Sequence, residues 1–151
     1  RAIVLRAADF GIPAPDIVVV PLVMRVGAMA SAGRQVFALG RKLRDEVGVN
    51  TTCGASNISF GLPHRHGINP AFLPMAIGAG MNSAIMNPVR AAEMEAIKAA
   101  NLLMNHEPNG GEWIRFSRVI EAVEAGTSFP EAAAAAAAAS GGRGGRRRAR
   151  G

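Results

Sequence analysis

Two hydrophobic rhythms alternate along this chain: short β-branched runs, and longer stretches with an apolar residue every three or four positions. Residues 16–24 (DIVVVPLVM) are a run of the first kind, as expected of a strand covered on both faces. An amphipathic helix is expected over 31–47, with Val36, Leu39, Leu43 and Val47 on one face and Arg41, Lys42 and Arg44 off it. Gly48 ends it, and 49–58 form the second strand. The next helix is expected to open with Asn69 as cap and Pro70 in first position. It would bury Phe72, Leu73, Ala76 and Ile77 and close at 78–80.

Residues 83–86 (SAIM) make a third short strand, ending at Asn87-Pro88. A helix over 90–105 follows, with Met94, Ile97, Asn101 and Met104 at helical spacing, and another over 110–125, striped by Trp113, Phe116, Ile120 and Val123. Ser128 and Glu131 form a capping box before the alanine run 132–139, which has high helix propensity but little to bury. Residues 141–151 are a Gly/Arg tail of disordered composition.

Three successive strand–helix units imply an α/β fold with parallel strands. An open doubly wound sheet and a (β/α) barrel both satisfy the pattern. The glycine fingerprint of a dinucleotide fold is missing after the first strand, which favours the barrel.

At 151 residues the chain suits one domain of ordinary size. The opening stretch 1–8 reads as the end of a helix, so the chain is expected to be part of a larger product. The net charge is +6, but Arg143, Arg146, Arg147, Arg148 and Arg150 supply five of those charges, leaving +1 on the remainder. A body so close to neutral is not a nucleic-acid-binding surface; the arginine tail alone could make weak, salt-sensitive phosphate contacts. No apolar run reaches the roughly 20 residues of a membrane span. The single cysteine, Cys53, allows no internal disulfide and fits a reducing cytoplasm, with the side chain acting as a small buried hydrophobe.

Candidate chemistry gathers in 51–70 (TTCGASNISFGLPHRHGINP), where a strand gives way to a polar, glycine-rich loop before a helix. Asn57, Ser59 and Arg65 are the candidates there, with Asn87 at the end of the third strand. On residue type alone, Asn57 also reads as a strand-end amide closing a local turn, and Arg65 as a solvated loop charge. Phe60 suits either core or pocket wall. His64-x-His66 lacks a nearby carboxylate or cysteine to complete a metal site, His106 reads as a surface or capping residue, and the methionines read as core filler.

The segment Gly54-Ala55-Ser56-Asn57-Ile58-Ser59-Phe60-Gly61-Leu62-Pro63 with Arg65 carries a family resemblance. It continues through Ile68-Asn69 to Met75-Ala76, Ala79-Gly80-Met81 and Ala84-Ile85-Met86-Asn87-Pro88. Together these residues resemble methyltetrahydrofolate:corrinoid-protein methyltransferases, whose pterin-binding (β/α)8 TIM barrel is related to dihydropteroate synthase. The likeness covers roughly 1–125. It implies the last three strand–helix units of the barrel; the capped alanine-rich helix over 126–140 and the tail lie beyond it. It further implies methyl transfer from N5 of methyltetrahydrofolate to cob(I)alamin on a separate corrinoid protein, in the cytoplasm, and homodimers occur among such enzymes. Asn57 inherits the hydrogen bond to N5, Arg65 a place beside the pterin, and Ser59 and Asn87 weaker binding roles.

One departure bears on activity. The family's strand matching 17–22 usually carries an acidic residue before the proline to hold the pterin's amidine edge, where this chain has Val20. Valine accepts no hydrogen bond. Arg25 stands where smaller or apolar residues are commoner. Two other readings compete: a dihydropteroate synthase-like enzyme, which would need a lysine near Ser56-Asn57-Ile58, and a barrel fragment without catalysis of its own.

Overall fold

The computed structural model describes residues 1–141; the Gly/Arg tail expected to be disordered lies, from 142 on, outside the described residues. The chain divides into two compact units, Arg1–Asn101 and the part from Leu102 onward. It is mixed α/β and mostly helical. Among the described residues no helix is long and apolar enough to cross a membrane.

In the first unit, α1 (Ala2–Ala8) precedes two short parallel strands, β1 (Val18–Val19) and β2 (Asn50–Thr51), in register Val18↔Asn50 and Val19↔Thr51. The expected third strand joins the other side of the β2 segment. Ser83 N–H donates to Thr51 O (3.1 Å), Ile85 N–H to Cys53 O (2.7 Å) and Ala55 N–H to Ile85 O (3.1 Å), and Gly54↔Ile85 is a parallel bridge. Three extended segments therefore lie parallel in chain order. All are shorter than their apolar runs. On β1 the ladder lasts only while β2 faces it, and Pro21, with no N–H, cannot extend it. The second run turns into a 3₁₀ segment at Ala55–Ser59 before it reaches Ile58.

Side chains alternate across this sheet. Val23, Thr51, Cys53 and Ala55 are buried against the helices, whereas Val18, Val20, Leu22 and Ile85 are each more than half exposed. The expectation of a first strand covered on both faces is thus corrected: one face of the described unit is covered and the other is open.

The covering helices are α2 (Ala32–Lys42) and α3 (Arg65–Gly78). Val36, Phe72, Leu73, Ala76 and Met81 pack with Cys53 and Ile58 into one core, and the Phe37 and Phe72 rings stack with centroids 5.5 Å apart. α2 loosens into a π-helical turn at Leu43–Val47 and stops at Gly48, whose φ of 71° suits glycine. Its buried stripe is Ala32, Val36 and Gly40, while Leu39 is 41% exposed. Close approach explains the shift: a Cβ on Gly40 would lie 3.1 Å from the Ala79 carbonyl oxygen.

The start of α3 is a second correction. Asn69 does not cap it; His64 does, at φ 50°, and Pro70 and Pro74 lie inside the helix. Asn69 is instead a buried side chain with tertiary partners, described below. α4 (Ala91–Leu103) follows, burying Glu93 and Ala100 rather than the Met94 and Met104 stripe.

In the second unit, α5 (Gly111–Glu124) packs against α6 (Phe129–Gly141). Trp113 and Phe116 are in tilted ring contact, and Ser128 Oγ meets Glu131 Oε2 at 3.4 Å, a side chain contact between the two residues of the expected capping box. The alanine run buries more than expected, with Ala132 and Ala136 enclosed.

Gly40→Leu is expected to destabilise the fold by about 1–3 kcal/mol through overpacking against Ala79. Leu39→Ala, at an exposed site, should stay within roughly 0.5 kcal/mol of the parent. Urea denaturation of both variants checks the assignment, and equal losses would contradict it.

Candidate functional site

The site begins where the second extended segment ends. Past the Gly54↔Ile85 bridge the backbone tightens into the 3₁₀ turn Ala55–Ser59, with Ala55, Ile58 and Ser59 buried. The Ile58 carbonyl accepts the Val26 N–H at 2.9 Å, anchoring the turn to the segment after β1. Gly61, at φ 85°, then lets the chain reverse toward α3. Asn57 is therefore carried on a 3₁₀ turn rather than on the strand tip that the apolar pattern suggests. It is exposed, its backbone is bonded within the turn, and among the described residues no hydrogen bond engages its carboxamide.

Arg65, in the first turn of α3, holds that turn on both sides of Asn57. Its Nη2 donates to the Ser56 carbonyl (2.5 Å) and its Nε to Ser59 Oγ (3.0 Å). Among the described residues no carboxylate pairs with it, and its guanidinium lies 5.5 Å from the centroid of the half-exposed Phe60 ring. Arg25 approaches the same ring at 5.6 Å. Phe60 is thus an exposed aromatic flanked by two cations, each attracted to its π face.

Behind Arg65 lies a buried polar chain. Ser59 Oγ donates to Asn69 Oδ1 at 2.6 Å, and Asn69 Nδ2 donates to Glu93 Oε1 at 3.1 Å. Ser59, Asn69 and Glu93 are 0%, 6% and 4% exposed. Ser59 therefore does not face a ligand directly; it is sealed behind the guanidinium it holds. A cleft of about 520 Å³ runs in front, lined by Ser56, His64, Arg65, His66, Asn87 and Arg90 among others, with Asn69 and Glu93 in its wall. Of the candidates read from sequence, this cleft brings Arg65 and Asn87 together. Asn57 is not in its lining.

Asn87 also has a local task, its Oδ1 accepting the Val89 N–H at 3.0 Å just before α4. His64 and His66 flank Arg65, and among the described residues no group of three or more His, Cys, Asp or Glu side chains is placed to hold a metal. Cys53 is buried, and burial pushes its thiol pKa up. Val20 projects from the open face of the sheet.

Asn69 and Glu93 escaped the sequence reading. Asn69 precedes a proline and so imitates a helix cap, and Glu93 hides in a helix that looks amphipathic through Met94. The available signal was the Glu93–Ile97–Ala100 spacing, which places a carboxylate on an otherwise apolar stripe.

Replacing Asn69 with leucine leaves the Ser59 hydroxyl and the Glu93 carboxylate without their buried partner. A loss of about 2 kcal/mol or more is expected. Thermal or urea unfolding of Asn69→Leu measures it, and unchanged stability would contradict the network.

No family model matches the chain. A methylcorrinoid:tetrahydrofolate methyltransferase of Eubacterium limosum is 41% identical to it over 59 residues, 39% of this chain and 22% of that protein. The chain thus matches less than a quarter of this relative's length, and the likeness points weakly toward the methyltransferases.

Proposed function

We propose that this chain is the pterin-facing part of a methyltransferase that moves a methyl group between N5 of tetrahydrofolate and a corrinoid held by a partner protein. The observation that carries this reading is the unbonded Asn57 carboxamide, presented on a turn that Arg65 clasps at Ser56 and Ser59. The relative's name, which pairs a methylcorrinoid with tetrahydrofolate, supports the same pair of substrates.

The chemistry asks for such a group. When the methyl leaves N5, the N–C bond breaks, its electron pair stays on nitrogen, and N5 must gain a proton or a stronger hydrogen bond. In the opposite sense N5 loses a proton as it attacks the methyl. A carboxamide offers both a donor and an acceptor without ionising, so Asn57 can follow the changing charge in either direction. A rigid mount matters because the benefit comes from a dipole aimed before the reaction begins. The corrinoid supplies the metal-centred methyl exchange; this chain's residues bind, aim and hydrogen-bond the folate. Arg65, Phe60 and the cleft beside them offer cation, ring face and polar wall to a pterin and its substituents, and Asn87 borders that cleft.

The first unit is, in this reading, three consecutive strand–helix units of a (β/α)8 barrel. Its one-sided sheet supports the idea: Val18, Val20, Leu22 and Ile85 are the branched side chains that fill barrel interiors, and here that face lies open. Val20, where the family usually has an acid, lies on that face and offers the pterin's amidine edge no acceptor. A folate held without that bond relies more heavily on the Arg65 side of the site.

Asn57→Ala should lower the rate of methyl transfer between tetrahydrofolate and a corrinoid protein by about 10²-fold, the usual cost of one transition-state hydrogen bond. Folate binding, followed by equilibrium dialysis, should change by less than about threefold, since the bond matters chiefly in the transition state. Equal transfer rates in variant and parent would overturn the assignment.

A further inference from the structure

We infer that Glu93 is a positioning residue for Arg65, acting through Asn69 and Ser59 to fix the guanidinium that clasps the Asn57 turn. The inference deepens the proposed function by naming what orients its arginine, and its structural content stands on this unit's hydrogen bonds alone.

Four side chains form one continuous series of donors and acceptors: Arg65 Nε to Ser59 Oγ at 3.0 Å, Ser59 Oγ to Asn69 Oδ1 at 2.6 Å, Asn69 Nδ2 to Glu93 Oε1 at 3.1 Å. Its direction is read from the Arg65 end, because a guanidinium can only donate. The two middle groups could each point either way, but here they have one arrangement that satisfies both neighbours. Turning the Asn69 amide over would set its NH₂ against the Ser59 hydroxyl proton and its oxygen against the carboxylate. Ser59 has an alternative acceptor in the Ser56 carbonyl at 3.5 Å, a longer and weaker contact that would leave Asn69 Oδ1 unserved.

The series crosses three elements, from α4 through α3 to the 3₁₀ turn, and its middle members are shut off from water. Along such a largely buried path each bond polarises the next. The carboxylate on α4 thereby sets the Ser59 lone pair that receives Arg65 Nε. Without it, Asn69 is free to turn over and donate to Ser59 Oγ, so that its NH₂ competes with Arg65 Nε for the lone pairs of a hydroxyl whose proton then turns toward Ser56.

The test reads the Arg65 Nε–H directly by NMR, in the ligand-free protein, with the exposed Arg34 as internal reference. In the parent, exchange of the Arg65 Nε–H is expected to be at least about tenfold slower than that of Arg34, as its bond to the fully buried Ser59 hydroxyl predicts. Glu93→Gln retains an acceptor oxygen and should keep most of that protection. Glu93→Leu and Ser59→Ala should each bring Arg65 to the Arg34 rate while backbone protection in α2 stays intact. Parent protection no greater than Arg34's would overturn the inference even if every variant failed to fold, and so would protection that survives Glu93→Leu. A protected, Glu93-dependent Arg65 in a protein that transfers no methyl group would sink the proposed reaction and leave the positioning role standing.

Discussion

A carboxylate sealed inside the fold is the constraint around which this unit is arranged. Glu93 is 4% exposed, and a buried carboxyl group left without a hydrogen bond would cost about 1–3 kcal/mol. Asn69 answers that need from the second turn of α3, and its other end must then find a donor, which Ser59 provides from the 3₁₀ turn. One electrostatic demand thus fixes the start of α4, the face of α3 and the hydroxyl that receives Arg65. The turn carrying Asn57 takes its place as a result. The apolar core of Val36, Phe72 and Leu73 supplies the burial that makes these polar contacts strict.

The sheet imposes a second constraint. Helices α2 and α3 cover one side, and the residues pointing the other way are valine, leucine and isoleucine rather than the polar set that normally faces water on a one-sided sheet. Open parallel strands also leave unpaired edges. The site sits at the end of the strands, where the chain leaves the sheet for α3.

Much of this was legible in the sequence. The order of strand and helix units, the parallel pairing, the stop at Gly48 and the capping pair Ser128 and Glu131 follow from local pattern and chain chemistry. The extent of each strand did not. An apolar run such as 16–24 records burial, whereas a ladder needs a facing partner, and Pro21 shows how the two part company. Leu39 and Gly40 mark a related limit: periodicity favours the larger residue, but a close helix contact selects the one without a side chain.

In the site, Asn57 and Arg65 stood out through the family resemblance, since on residue type alone they read as a turn amide and a solvated loop charge. Ser59 was visible as a candidate but not as a buried intermediary. Asn69 and Glu93 were hidden because their partners lie ten and twenty-four residues away, and a tertiary hydrogen bond leaves no mark on local periodicity.

The most direct test of this arrangement is a double-mutant cycle on Asn69→Leu and Glu93→Leu, read by urea denaturation. Each single change strands the other polar group, while the double change removes both needs at once. The account predicts that the double variant is more stable than the sum of the singles by about 1 kcal/mol or more. Additivity within about 0.5 kcal/mol would mean that the two side chains do not depend on each other, and the arrangement described here would be wrong.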